Sequence, residues 1–145
     1  MPEVRQAGLA DAETIAALAA ELAQSFAFRR ADFDLSYPAL LAGRDACVLA
    51  AEQDGDCVGY LLGFQHLTFF ANGPVGWVEE VMVRREHRGR GIGRDLMSAF
   101  ERWAAARECT MVALATRRAA PFYLALGYEE SAAYLRKVLS QEAAR

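Results

Sequence analysis

A strand, an arginine–glycine turn and an amphipathic helix follow one another without a break between residues 76 and 107, and this run limits the folds open to the chain. Gly-Trp-Val-Glu-Glu-Val-Met-Val (76–83) is rich in β-branched residues, as strands are. Arg84 to Leu96 then packs in five arginines and three glycines. From about Gly91 to Arg107, Ile92, Leu96, Phe100 and Trp103 recur at helical spacing and form one apolar stripe. A helix start offers unpaired N–H donors and the positive end of its dipole. Glycine there lets a ligand come close to the backbone. No Ser, Thr, Asp or Asn occupies the capping position that a free helix would favour. Arg88-Gly89-Arg90-Gly91-Ile92-Gly93 therefore reads as an anion site suited to a pyrophosphate.

The rest of the chain sets the frame for this run. Glu3–Ala7 is a short strand candidate, and Asp11 can cap a helix to about Ala27 with Ile15, Leu18, Leu22 and Phe26 on one face. Ser36-Tyr37-Pro38 opens a short helix that ends at Gly43. Residues 46–53 and 57–65 are strand-like runs either side of Asp54-Gly55-Asp56, a strong hairpin signal. Residues 66–74 read as a loop with two exposed phenylalanines, Phe69 and Phe70, before Asn72-Gly73-Pro74. After the central helix come a buried strand (110–116), a short helix (120–126) stopped by Gly127, and a final strand or two over 128–139. The order β-α-α-β-β-β-α-β-α-β implies an α+β fold, a mixed and mainly antiparallel twisted sheet flanked by helices.

The 145 residues fit one domain, with no repeat or linker to divide it. Formal net charge is −3, so positive charge is local and bulk attraction to nucleic acid is not expected. No apolar run is long enough for a membrane span, no secretory signal pattern opens the chain, and a cytoplasmic location is the default expectation. Cys47, Cys57 and Cys109 have no paired spacing, so they read as core filler and no metal site is expected. A Walker loop would need Gly-Lys-Ser/Thr where the chain has Gly93-Arg94-Asp95, and the dinucleotide fingerprint has GxGxxG where this turn has GxGxG. A solvated glycine-rich turn is the remaining bland reading.

Two stretches carry a family resemblance. Val78 to Ala104, with Arg88-Gly89-Arg90-Gly91-Ile92-Gly93 inside it, resembles the acetyl-CoA signature of the GNAT superfamily of N-acetyltransferases. Ala119 to Tyr128, with Phe122-Tyr123 and Leu126-Gly127-Tyr128, resembles that family's ending. The resemblance implies a GNAT-type fold, with acetyl-CoA bound by the main chain of Arg88, Gly89, Arg90, Gly91, Ile92 and Gly93 and with Arg94 adjacent. The pantetheine arm would pair with the main chain of Val81, Met82 and Val83. Thr116 stands where the family often has an asparagine touching that arm. Tyr123 matches the tyrosine that protonates the departing thiolate, as a phenol can. Of the adjacent carboxylates, Glu79 matches the family's general base and Glu80 comes next. Adjacent strand residues point to opposite faces, so one of the two should face inward.

These residues imply direct transfer of an acetyl group to a primary amine, without an acyl-cysteine. Main-chain N–H groups at the end of strand 76–83 would stabilise the oxyanion. The acceptor site is expected from Phe26–Tyr37 and His66–Asn72; Asp32, Asp34, Tyr37, Phe69 and Phe70 in those segments suggest a cationic, partly apolar amine of a small molecule or peptide. Arg117 and Arg118 read as solvated, and His66 and His87 are given no role. A homodimer is compatible with the family. Two rival classes stay open, a non-catalytic acyl-CoA-binding regulatory module and an RNA-binding protein.

Overall fold

A computed structural model describes residues 2–140. Five strands form one sheet in sequence order: β1 (Glu3–Gln6), β2 (Ala46–Gln53), β3 (Asp56–Thr68), β4 (Gly73–Val83) and β5 (Val112–Leu114). The first four are antiparallel neighbours, and only β5 runs parallel to β4, after the crossover helix α3 (Ile92–Ala106). Helices α1 (Ala12–Leu22) and α2 (Arg30–Ala42) pack on one face, where Ile15, Leu18 and Tyr37 meet Val48, Ala50 and Tyr60. On the other face α3 buries Ile92, Leu96, Met97 and Phe100 against Leu49, Leu61 and Val78. A short α4 (Ala120–Ala125) adds Tyr123 to that second layer. Alternate residues of each strand thus feed two cores, and the expected mixed, mainly antiparallel sheet flanked by helices is present.

Several boundaries move. The β2–β3 hairpin turns at Asp54 and Gly55, both at positive φ (53° and 83°), as a two-residue hairpin requires. The expected loop 66–74 contracts to residues 69–72, because His66–Thr68 and Gly73–Val75 continue the β3–β4 ladder. Phe69 and Phe70 are exposed at its tip. Helix α1 stops at Leu22, short of the expected Ala27, and Phe26 leaves its stripe for the mouth of a cavity. Helix α2 begins at Arg30, well before Ser36, and carries Pro38 inside it. Ion pairs Arg29–Asp32 (2.7 Å) and Arg30–Asp34 (2.7 Å), and the stacking of Phe33 on Tyr37 (5.1 Å), support its early turns.

The clearest correction is at the end of the chain. Residues 128–139, expected as a strand or two, form none. Tyr134, Leu135, Val138 and Leu139 in that segment are exposed. A strand apolar on both sides needs cover on both faces, and the described residues supply none.

Asp11 does not cap α1 with its side chain. Its carboxylate instead accepts a two-pronged pair of bonds from Arg5 (2.8 and 2.9 Å) and one from the Gly8 N–H (2.8 Å). Arg5 also reaches Glu52 (2.9 Å), and the Tyr37 hydroxyl donates to the Gly8 carbonyl (2.7 Å), so β1, β2 and α2 are tied at one buried point. The Arg5 guanidinium holds the Asp11 carboxyl below its ordinary value. A depressed folded-state value contributes stability above the unfolded pKa of about 3.9, lost as pH falls through the folded value. Asp11→Asn should therefore cost roughly 1.5–3 kcal/mol at neutral pH. Urea unfolding at pH 7 and pH 3 should show the difference from the parent protein shrinking in acid.

Candidate active site

The site lies where the two halves of the sheet part. β5 meets β4 only along Gly76–Val78, opposite Val112–Leu114. Beyond Val78, the edge of β4 that faces away from β3 has no strand partner, and this open edge includes Val81, Met82 and Val83. It runs straight into the arginine–glycine turn. A 3-10 turn (Arg85–His87) follows β4, and α3 then starts at Ile92 from Gly91, whose φ of 85° is left-handed.

The turn leaves its main chain open at the helix start. Gly89 also has positive φ (76°), and no side chain caps α3. Among the described residues, the backbone N–H groups of Gly89 through Arg94 make no hydrogen bond, while the next one, of Asp95, bonds the Gly91 carbonyl (3.0 Å). Six adjacent donors at the positive end of a fifteen-residue helix thus lack partners. A Cβ on Gly91 would stand 2.6 Å from the Arg94 guanidinium, which folds back over the turn. Arg88 turns towards the open edge, donating to the Val83 carbonyl (3.0 Å) and reaching the Met82 sulfur (3.7 Å). Arg90 is exposed. A Cβ on Gly93 would lie 3.2 Å from the Phe122 ring, so α4 packs directly on this helix start.

That packing brings Tyr123 to the same neighbourhood. Its ring lies edge-on to Phe122 and Tyr128 and rests against the core layer that includes Val81 and Val83. Burial pushes the phenol pKa up, and its hydroxyl has no hydrogen-bond partner among the described residues. Thr116 lies just after β5, where its hydroxyl accepts from the Ala119 N–H (3.0 Å) and retains a proton to donate. Arg117 and Arg118 are exposed beside it. His66 is exposed too, whereas His87 keeps a buried Nδ1 without a partner among the described residues.

The two glutamates depart from the alternation rule. Register slips between Leu62 and Gly63: Leu62 pairs with Glu80 and Gly63 with Val78, leaving Glu79 as the extra residue of a β-bulge. Val78 faces α3, yet the bulge resets the phase, so that Glu80, two residues on, faces the α1–α2 layer. Glu79 is exposed and accepts a bond from the Trp77 indole (3.2 Å). Glu80 is half-buried and accepts one from the Tyr60 hydroxyl (2.7 Å). Tyr60 is buried, and that burial, reinforced by the Glu80 charge, raises its pKa far above a free phenol's. It stays protonated and holds the carboxylate in place.

Glu80 and Tyr60 form the floor of a cavity of about 560 Å³ between α1, α2 and the sheet. Phe26, Phe28, Asp32 and Tyr37 from the expected acceptor segment line it, whereas Asp34 pairs with Arg30 and does not. No residue of His66–Asn72 lines it; the long β3–β4 hairpin carries Phe69 and Phe70 away. Tyr60 was not legible as a site residue, although a phenol within an apolar strand run must find a partner. The three cysteines lie outside the cavity wall, and burial raises each thiol's pKa, Cys47 to about 11.

An open central strand, a bare helix start and an adjoining cavity make this an acyltransferase fold. The chain belongs to the Acetyltransferase (GNAT) family, whose model matches residues 14–128, and it is an N-acetyltransferase of that family. It is 30% identical over 139 residues to an aminoglycoside N(6')-acetyltransferase type 1 of Stenotrophomonas maltophilia, covering 90% of this chain and 88% of that one. Among solved structures it resembles a transcriptional regulator from Bacillus halodurans C-125 (TM-score 0.85, 20% identity, 96% of this chain and 100% of that one). It also resembles the aminoglycoside N-acetyltransferase AAC(6')-Iy in complex with CoA (TM-score 0.81, 22% identity, 94% and 95%). No helix among the described residues is long and apolar enough to cross a membrane.

Proposed function

We propose that the chain transfers the acetyl group of acetyl-CoA directly to a primary amine. The observation that carries this reading is the run of unpartnered N–H groups from Gly89 to Arg94, continuous with the open edge of β4. Such a cradle fits a diphosphate, with Arg88 and Arg90 adding charge and Arg94 adjacent. Val81, Met82 and Val83 would hold the pantetheine arm by main-chain bonds, in the manner of an added strand, and Thr116 would donate one more. Acetyl-CoA, when bound, supplies the thioester carbon that is attacked.

The chain's own residues then manage protons and charge. An alkyl ammonium, with a pKa of roughly 10.4, must lose a proton before its nitrogen can attack. The resemblance puts Glu79 first as the acceptor of that proton; the cavity position of Glu80 and its bond to Tyr60 support placing Glu80 first, with Glu79 second. N–H groups of β4 at and beyond the bulge would face the carbonyl oxygen as negative charge grows on it. As the new C–N bond forms and the C–S bond breaks, the electron pair would go to sulfur, Tyr123 would give it a proton, and the proton released by the new amide nitrogen would restore the phenol. A phenol whose pKa is raised by burial is protonated at neutral pH, as this role demands.

Calorimetry with CoA tests the cradle. The parent protein should bind, and Gly91→Val, which adds a branched side chain at positive φ beside Arg94, should weaken binding by at least about tenfold. No heat from the parent protein would remove the reading. Thiol release in the presence of amines tests turnover. Tyr123→Phe should lower kcat by about 10²-fold or more while CoA affinity changes little. Coenzyme binding without turnover on any amine would favour a non-catalytic acyl-CoA-binding module. A cytoplasmic monomer or homodimer suits the reading, and a dimer that covers Leu135 and Leu139 would show in sedimentation of the full chain.

A further inference from the structure

The cavity itself narrows the choice of amine, on the footing of the acetyl-transfer reading. Among the described residues three charged side chains reach its wall, Arg29, Asp32 and Glu80. Arg29 and Asp32 neutralise each other through a 2.7 Å ion pair. Glu80 accepts its bond from a neutral phenol, so among the described residues it is the one wall carboxylate without a cationic partner. The Tyr37 hydroxyl is spent on the Gly8 carbonyl (2.7 Å). Most of the remaining surface is carbon, with Leu22, Phe26, Phe28, Phe33 and Leu62 prominent. A polyhydroxylated body would set most of its hydroxyl groups against these side chains, with few polar groups such as Ser36 in the wall to bond them, which is costly. A second ammonium would find, among the described residues, only the Asp32 carboxylate, already paired with Arg29.

We infer that the acceptor is a monoamine with an alkyl or aryl body, its nitrogen at Glu80 and its carbon skeleton against the phenylalanines. This separates the chain from the aminoglycoside acetylation named for its 30%-identical relative. One cation meets one carboxylate, and the apolar remainder is removed from water, the main source of affinity in such a cavity.

The test compares hexylamine, 2-phenylethylamine, 1,6-diaminohexane and kanamycin with the full chain, by acetyl-CoA-dependent thiol release and by ligand-observed NMR binding. Hexylamine and 1,6-diaminohexane have the same carbon chain and differ in one ammonium. The two monoamines should exceed 1,6-diaminohexane by at least about 10-fold in kcat/KM and kanamycin by about 100-fold. Phe26→Asp adds a carboxylate at a half-exposed rim position that tolerates change, and it should shift the ratio towards 1,6-diaminohexane by about 10-fold. Preference for kanamycin or the diamine would overturn the inference while leaving acetyl transfer intact. Selective binding of the monoamines with no turnover of any amine would sustain the selectivity and overturn the transfer reading. Monoamines that neither bind nor react would overturn the inference.

Discussion

Glu80→Gln lowers kcat by about 10²–10⁴-fold, the range for removing a positioned general base, and moves the rising limb of the pH–rate profile to higher pH. The direction follows from the ammonium. With Glu80 in place, a proton acceptor stands at the cavity floor, held by the 2.7 Å bond from Tyr60. Without it, attack waits for the small fraction of amine already neutral in solution, and that fraction grows only as pH approaches roughly 10.4. Glutamine keeps the size and can still accept from Tyr60, so folding and CoA affinity should be unchanged. Tyr60→Phe should give a smaller loss, because the carboxylate remains but is no longer held, and it too should be visible in the pH profile. Glu79→Gln should change kcat only a few-fold, since that side chain is exposed and bonded to Trp77. If Glu79→Gln produced the large loss and Glu80→Gln the small one, the base would be Glu79.

Which parts of this site could be read before the fold was known follows from the range of the forces involved. The turn at Arg88–Gly93 is local chemistry, set by glycines, a missing cap and a helix start; among the described residues its N–H groups from Gly89 onward have no partner, whereas that of Arg88 bonds the Arg85 carbonyl (3.3 Å). The apolar stripe Ile92, Leu96, Phe100 was likewise readable, and all three are fully buried. Strand alternation fails at Glu79 and Glu80 because the bulge depends on how Leu62 and Gly63 register across the sheet, a non-local matter. Tyr60 escaped for the same reason, its partner being twenty residues away. Helix α2 gave only its later half to local signals, since Pro38 reads as a first-turn proline, whereas ion pairs and the Phe33–Tyr37 stack support the earlier start. The segment 128–139 has a strand's composition, but composition cannot supply a neighbouring strand.

The bulge also depends on a contact that a single methyl group would disrupt. Gly63→Ala should destabilise the protein by about 1–3 kcal/mol, the usual cost of overpacking a filled core. A Cβ at Gly63 would clash with the edge of the Phe100 ring, with Cζ at 2.7 Å and Cδ1 at 2.9 Å. That ring is fully buried and stacked on Trp103 (5.4 Å), and from the neighbouring strand Gly76 closes on it as well, where an added Cβ would sit 3.2 Å away. Two glycines, on β3 and β4, therefore make the slot that lets α3 approach the sheet, and the ring has little room to yield. Thermal unfolding should fall by roughly 3–12 °C for Gly63→Ala, and by less for Gly76→Ala. Phe100→Leu leaves a void and destabilises alone, but combined with Gly63→Ala it should cost less than the two losses added together, a coupling expected of residues in contact. Gly63 pairs with Val78, the residue just before the bulge, and its neighbour Leu62 pairs with Glu80, so the same strain reaches Glu80 across one step of β3. Gly63→Ala should thus reduce kcat as well as Tm, and the double variant should recover both together. Recovery of Tm with kcat still low would show that the ring sets the position of the bulge as well as the stability of the core, whereas an unchanged Tm in Gly63→Ala would disprove the slot.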